Sequence, residues 1–254
     1  MQSRYPFFKG MTPILPTVFT PSGEPDLEAQ ARLVEYVLSC GAVAIGHMGG
    51  ASEYYKIDAC DRDEILRALS KQVAGRVPIF VGTTDIARKT ALRQAEEAKD
   101  QGADLIMVCS PIMGTLSRAE LMRYYEDVSH ATDLPIILQD TGASSGHYSA
   151  EFILEACEKI PTIGYVKSEG VNCLPKTKIL VEKLGQSVQV IGGSGGYAMP
   201  TLLRLGITAF MTGTECTDVH NDVIQAFFEG NAEKADELYY TTILSYLYFF
   251  TMNS

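Results

Sequence analysis

One lysine in this chain stands where an amine could act as a nucleophile. It lies in residues 160–170, IPTIGYVKSEG. Residues 163–166 read as a short buried strand, because β-branched and aromatic residues fill them while Pro161 and a polar turn flank them. Lys167 follows directly, so its amine is expected in the interior or at the strand's mouth. Burial disfavours an ammonium and can bring a lysine from about 10.4 towards 7 or below, which makes a usable nucleophile. Such an amine condenses with a keto group to a Schiff base. The competing reading of this segment alone is a lysine that has simply reached solvent beyond the strand end. Glu169, two residues on, shares the Lys167 face if the strand extends that far. A carboxylate so close would hinder attack until the imine forms and could then stabilise the iminium; otherwise Glu169 is a solvated loop residue.

The elements that must position these groups recur with a rhythm. Eight short apolar runs, residues 12–18, 42–48, 78–83, 105–110, 135–140, 163–167, 188–192 and 209–213, alternate with amphipathic stretches at 27–38, 62–73, 88–99, 119–129, 150–158, 175–183 and 198–205. Strand then helix, eight times, predicts a (β/α)8 TIM barrel of class α/β. Near-continuous apolar strands suit a parallel sheet buried on both faces, and Gly41, Gly102 and Gly206 fall where helices should end. Barrel chemistry sits at the carboxyl ends of the strands. The residues there are Thr17, His47 and Met48, Thr83 and Thr84, Ser110, Gln139 and Asp140, Lys167 and Glu169, Gly192-Gly193-Ser194, and Thr212, Thr214 and Glu215. Strand ends are polar in many proteins, so each of these taken singly also reads as a turn or cap residue.

Composition narrows the partners. A net charge of −10 argues against nucleic acid or an anionic membrane surface and for a small-molecule ligand. With 46% apolar residues and no linker-like segment, the chain reads as one domain of 254 residues. Its six cysteines show no CxxC spacing, which fits buried thiols in a reducing compartment and argues against thiolate metal binding. The opening MQSRYPFFKGMTPILP is interrupted by Arg4, Pro6 and Lys9 and lacks the apolar core of a signal peptide, so a cytoplasmic location is expected. Gly192 and Gly193 read as room for close backbone approach to a substrate rather than as a phosphate loop, since no GxGxxG or P-loop lysine accompanies them. No metal, nucleotide or flavin is expected.

Several stretches together resemble the dihydrodipicolinate synthase and N-acetylneuraminate lyase family of Schiff-base (β/α)8 enzymes. Gly10 to Pro21 with Gly23 is similar to that family's first strand and loop, and Gly46-His47-Met48-Gly49 falls at its G-T-T-G-E loop. Gly102-Ala103-Asp104 through Ser110-Pro111 resembles the fourth strand and Leu134-Pro135-Ile136-Ile137-Leu138 the fifth. Gly164-Tyr165-Val166-Lys167 resembles the catalytic I-G-I-K-D strand. The resemblance implies that Lys167 forms an imine with pyruvate or a related 2-keto acid, followed by aldol cleavage, aldol addition or dehydration. It also implies no cofactor. Three positions depart from the pattern. Gln139-Asp140-Thr141-Gly142 stands where the family has Y-N-x-P, so the phenol that relays protons is absent; a glutamine can orient a substrate but cannot exchange a proton near neutral pH. His47 and Met48 replace paired hydroxyls, and Pro111-Ile112-Met113 replaces P-Y-Y, removing the tyrosine that reaches a neighbouring subunit. His47 has a suitable titration range, about 6.5, to stand in for the relay, or is a hydrogen-bonded loop histidine.

The leading expectation is a class I lyase or aldolase of pyruvate or a related 2-keto acid, with Lys167 catalytic and His47, Met48, Gln139, Glu169, Gly192 and Gly193 contacting substrate. Alternatives are a Schiff-base dehydratase or hydratase of a 2-keto-3-deoxy sugar acid, and a keto-acid-binding protein without turnover. Residues 1–218 are expected to form the barrel and 219–254 a helical segment shortened relative to the family. The apolar ILSYLYFFTM at 243–252 is too short to span a bilayer, which needs about 20 residues. It reads as a core or interface helix whose aromatic face, Tyr239, Tyr246, Phe249 and Phe250, is covered in a homo-oligomer, a dimer or tetramer.

Overall fold

Eight strands and their helices alternate along the chain as the apolar rhythm predicts. The computed structural model describes residues 3–111, 113–141, 146–170 and 173–253, the last five by backbone alone. The expectations placed on Ile112, Gly142 and the side chains of Phe249 and Phe250 therefore lie outside the described residues. The strands are β1 (Gly10–Met11), β2 (Ile45–His47), β3 (Ile79–Gly82), β4 (Leu105–Val108), β5 (Ile136–Gln139), β6 (Ile163–Ser168), β7 (Gln189–Gly192) and β8 (Ala209–Phe210). They pair in parallel in the order β1-β8-β7-β6-β5-β4-β3-β2. A parallel bridge between Ile14 and Gly46, with Leu15 N–H donating to Gly46 O at 2.8 Å, joins the first segment to β2 and closes the barrel.

The first strand begins two residues earlier than the apolar run suggested. Its ladder to β8 continues through Thr12 N–H to Phe210 O and Ile14 N–H to Thr212 O. Pro13 and Pro16 supply no donor, so regular strand geometry stops early.

Between the strands lie α1 (Leu27–Ser39), α2 (Ala59–Val73), α3 (Arg88–Glu97), α4 (Arg118–Ala131), α5 (Ala150–Lys159), α6 (Leu174–Leu184), α7 (Met199–Arg204) and α8 (Thr217–Phe228). Side-chain caps fix several starts: Asp26 accepts from Ala29 N–H, and Ser117 and Glu120 form a reciprocal capping box. At the helix ends Gly41, Gly102 and Gly206 take φ of +82°, +90° and +94°, a conformation that costs glycine little.

Period two sorts each strand into an interior and an exterior set. Phe80, Met107, Ile137, Tyr165 and Ile191 pack inside the barrel, whereas Ile45, Val81, Ile106, Leu138 and Val166 face the helices. Burying each such side chain contributes about 1.5–3 kcal/mol, which makes a one-residue slip of register prohibitive. The amino-terminal segment plugs the bottom, where Gln189 Oε1 accepts from Phe8 N–H and Tyr165 Oη donates to Pro6 O.

After α8 come α9 (Ala232–Leu238), a π turn (Tyr239–Ile243) and α10 (Leu244–Asn253). The place expected for a barrel boundary, 218/219, falls inside α8, so barrel and terminal helices share an element. Tyr239 is buried, its oxygen accepting from Ala198 N–H at 3.0 Å, and Leu247 is buried too. This part of the expected uncovered face is thus covered by the chain's own barrel. Among the described residues no helix is long and apolar enough to cross a membrane. The thiols are less uniformly buried than expected: Cys109 and Cys173 are buried but Cys60 is exposed.

Candidate active site

β6 positions the lysine. Tyr165, Lys167 and Glu169 alternate inward, while Ser168 turns outward to share a hydrogen bond with Thr177 of α6 at 2.8 Å. The Lys167 side chain is only 6% exposed, and its Nζ stands 3.2 Å from Glu169 Oε1. Both residues line a cavity of about 650 Å³ at the carboxyl ends of the strands, together with Gln139, Ser194 and Thr212.

The Glu169 carboxylate is held from every side. Oε1 also accepts from Ser194 N–H at 3.2 Å, and Oε2 accepts from Gln139 Nε2 at 2.9 Å. Gln139 and Lys167 are register partners on β5 and β6, which is why the amide reaches the same carboxylate. Gly193 makes room for it: a Cβ there would stand 2.5 Å from Glu169 Cγ. The arrangement places a carboxylate beside the Lys167 amine and keeps that carboxylate from wandering.

Two further pairs face the cavity. Tyr246 of α10 donates to Glu215 Oε1 at 2.6 Å, and Leu247 lies beside it. Burial first, then the bond to Glu215, pushes the Tyr246 phenol well above its usual range. His147, in the loop after β5, points Nδ1 at the Asp140 backbone oxygen (3.1 Å) and at Asp140 Oδ1 (3.2 Å). Asp140 is wholly buried, ion-paired with Lys176 of α6, and accepts from Tyr148 N–H at 2.8 Å.

The structure therefore gathers Lys167, Glu169 and Gln139 as the sequence suggested, with Gly193 behind them, but it does not bring in His47, Met48 or Gly192. In β2, Gly46 points inward against the Phe80 ring, so His47 points outward towards the helices, fully buried. Its Nδ1 accepts from Met48 N–H at 2.8 Å and burial, aided by the Arg62 guanidinium, pushes it down to about 3. The expectation that His47 replaces a proton relay in the cavity is corrected by that orientation. Met48 is buried in the outer core with φ +59°, and its carbonyl sits where a Cβ of Gly82 would stand, 1.9 Å away. Gly192 also faces outward: a Cβ would stand 2.6 Å from the Phe210 ring, so its smallness serves packing rather than substrate approach.

Sequence reasoning missed His147, Tyr246 and Leu247 as cavity residues. His147 could have been noticed, because loops following barrel strands carry barrel chemistry and the chain has only four histidines. Tyr246 carried no such signal, since it lies 79 positions from Lys167 on a helix outside the eightfold repeat.

The chain is similar to known proteins over nearly its whole length. The dihydrodipicolinate synthetase family model matches residues 7–248. An L-2-keto-3-deoxyarabonate dehydratase of Azospirillum brasilense is 30% identical over 239 residues, covering 92% of this chain and 77% of that protein. A 4-hydroxy-tetrahydrodipicolinate synthase of Pelobacter propionicus is 26% identical over 234 residues, covering 91% and 80%. Among solved structures, YagE of Escherichia coli K12, a prophage protein of the dihydrodipicolinic acid synthase family crystallised with pyruvate, superposes with a TM-score of 0.87. It covers 94% of this chain and 81% of its own, at 23% identity, which speaks for the fold.

Proposed function

This chain belongs to the dihydrodipicolinate synthetase family and is a lyase of that family, and from that premise we propose that it acts on a 2-keto acid, pyruvate or a relative, through an imine at Lys167. The observation that carries the reading is the buried Lys167 amine, 3.2 Å from Glu169 Oε1 within the cavity. The amine adds to the C2 carbonyl and water leaves, forming an iminium that draws electrons from C3. In the aldolase direction the C4 hydroxyl loses its proton, the C3–C4 bond breaks, and the resulting enamine is protonated at C3 before hydrolysis frees Lys167. Glu169, fixed by Gln139 and Ser194, stabilises the iminium charge.

A second reading is dehydration of a 2-keto-3-deoxy sugar acid. It is favoured by the 30% identity to a dehydratase whose name gives such a substrate. Here C3 loses a proton and the C4 hydroxyl departs with another as water, so one product forms instead of two carbonyl fragments. Binding without turnover is the weakest of the three expectations in a family of lyases. The proposal requires no cofactor. It includes a cytoplasmic, homo-oligomeric protein, supported by six unpaired cysteines and an exposed apolar stripe on the terminal helices.

The test is borohydride reduction in the presence of pyruvate and other 2-keto acids. The wild type is expected to gain one reduced-imine mass that maps to Lys167, and Lys167→Ala to gain none. An adduct on another lysine, or none with any 2-keto acid, overturns the reading. Product analysis with a 2-keto-3-deoxy sugar acid then separates cleavage from dehydration.

A further inference from the structure

We propose that His147, oriented by Asp140, is the acid–base residue that moves protons to and from the Lys167 imine. This inference rests on the imine reading. Either cleavage or dehydration needs a group that takes a proton and returns one near neutral pH. Among the described cavity residues the titratable side chains are Lys167, Glu169, Glu215, Tyr246 and His147. Lys167 becomes the imine nitrogen. Both Glu169 oxygens are engaged, by Lys167 and Ser194 N–H on one side and by Gln139 on the other. Tyr246 and Glu215 are bonded to each other. That leaves the imidazole, which has one ring nitrogen to be held by Asp140 and a second with which to take and return a proton.

The geometry fixes its tautomer. A backbone carbonyl can only accept, and Nδ1 faces the Asp140 oxygen at 3.1 Å as well as Oδ1 at 3.2 Å, so Nδ1 carries the proton. Nε2 is then the working nitrogen. It lies beside Gly170 on the cavity wall, where a Cβ would come within 2.7 Å of it, so the glycine makes the room the ring needs.

The mounting is rigid although the ring is accessible. Tyr148, the next residue, is tied through its N–H to Asp140 Oδ1, shares a 3.1 Å hydrogen bond with Tyr125, and packs on Phe152 with ring centroids 5.0 Å apart. Lys176 bonds both Asp140 Oδ2 and the Tyr148 carbonyl. Asp140 N–H donates to Lys167 O at 3.1 Å, which ties the dyad to the catalytic strand. The His147 side chain is 41% exposed, so a proton collected from substrate can be passed to water. Asp140 is the positioning residue: it holds the ring and its tautomer while His147 touches the substrate.

Pyruvate supplies the test, because its imine loses a methyl proton to a base, becomes an enamine, and regains a proton at the same carbon. In D2O this exchanges methyl hydrogen for deuterium, readable by NMR, while borohydride trapping reads the imine independently. His147→Asn keeps an N–H donor for Asp140 and removes Nε2. It is expected to trap pyruvate like the wild type but to exchange its methyl hydrogens ~10²–10⁴-fold more slowly. His147→Ala is expected to regain exchange when imidazole is added. Asp140→Asn is expected to slow exchange when His147 is present and to have no effect in the imidazole-supplemented His147→Ala background, a non-additivity that general loosening would not produce. Wild-type exchange rates in both His147 variants, with normal trapping, overturn this proposal. Absence of an adduct in the wild type overturns the Lys167 reading instead.

Discussion

Gln139 limits which reactions the imine proposed at Lys167 can run. Its amide nitrogen is committed to Glu169 Oε2 at 2.9 Å, and an amide neither gives nor takes a proton near neutral pH. A condensation that depends on a phenol relay at this strand end should therefore be slow. With pyruvate and aspartate semialdehyde we expect turnover at least ~10²-fold below the ~10 s⁻¹ common among enzymes, measured by product formation. A kcat near 10 s⁻¹ would contradict it. At this scale the sequence was legible where a residue sits on a strand, because alternation alone puts Tyr165, Lys167 and Glu169 on one face. It was illegible where a residue sits on a loop. His147 follows a Gly- and Ser-rich stretch with no periodicity, and what places it is tertiary: a buried aspartate, a lysine from α6 and an aromatic cluster from α4 and α5.

The same alternation explains why His47, placed in the cavity by its position at a strand end, points away from it. Gly46 occupies the inward position of β2, filled by the Phe80 ring of the neighbouring strand β3, and the next residue must point outward. The consequence is measurable in stability rather than catalysis. Burial pushes His47 down from 6.5 to about 3, so the folded protein resists a proton that the unfolded chain accepts. The contribution is fully present above pH 6.5 and is lost as pH falls from 6.5 towards 3, because there the unfolded state binds more protons. Between pH 7 and 5 the loss amounts to about 2 kcal/mol at 1.36 kcal/mol per unit. Urea unfolding at both pH values should show the wild type losing about 2 kcal/mol more than His47→Gln, whose side chain stays neutral throughout. Equal losses in the two proteins would mean that His47 is not held neutral by burial. Element types and order were readable from apolar spacing. The ends of β1 and β8 were not, since hydrogen-bond supply rather than hydrophobicity decides where a ladder stops.

For the whole molecule, the terminal helices decide what is exposed. The aromatic face expected to seek a partner included Tyr239 and Tyr246, yet one is buried against the α7 entry and the other reaches into the cavity. The exposed stripe is instead Tyr240, Leu244 and Tyr248, exposed by 57%, 40% and 62% and spaced four residues apart on one side of the π turn and α10. A π turn adds a residue per turn to the helical path, so helical spacing read from sequence assigns the wrong face beyond it. Large apolar side chains grouped in this way seldom stay in water on a monomer, and a second copy presenting the same stripe across a two-fold axis would cover them. The opposite side of α10 carries Tyr246 and Leu247 on the cavity wall, so a partner on the stripe would also steady the helix that borders the active site. Each copy carries a net charge of −10, and the resulting repulsion opposes association most at low ionic strength. Light scattering should therefore find a dimer or larger species whose fraction grows as salt is raised from 10 to about 150 mM, over which screening shortens from about 30 to 8 Å. Tyr240→Glu with Tyr248→Glu should shift it to monomer without abolishing the borohydride adduct at Lys167. A wild type that stays a monodisperse monomer at high concentration and binds no hydrophobic dye would show that the stripe tolerates water and needs no second copy.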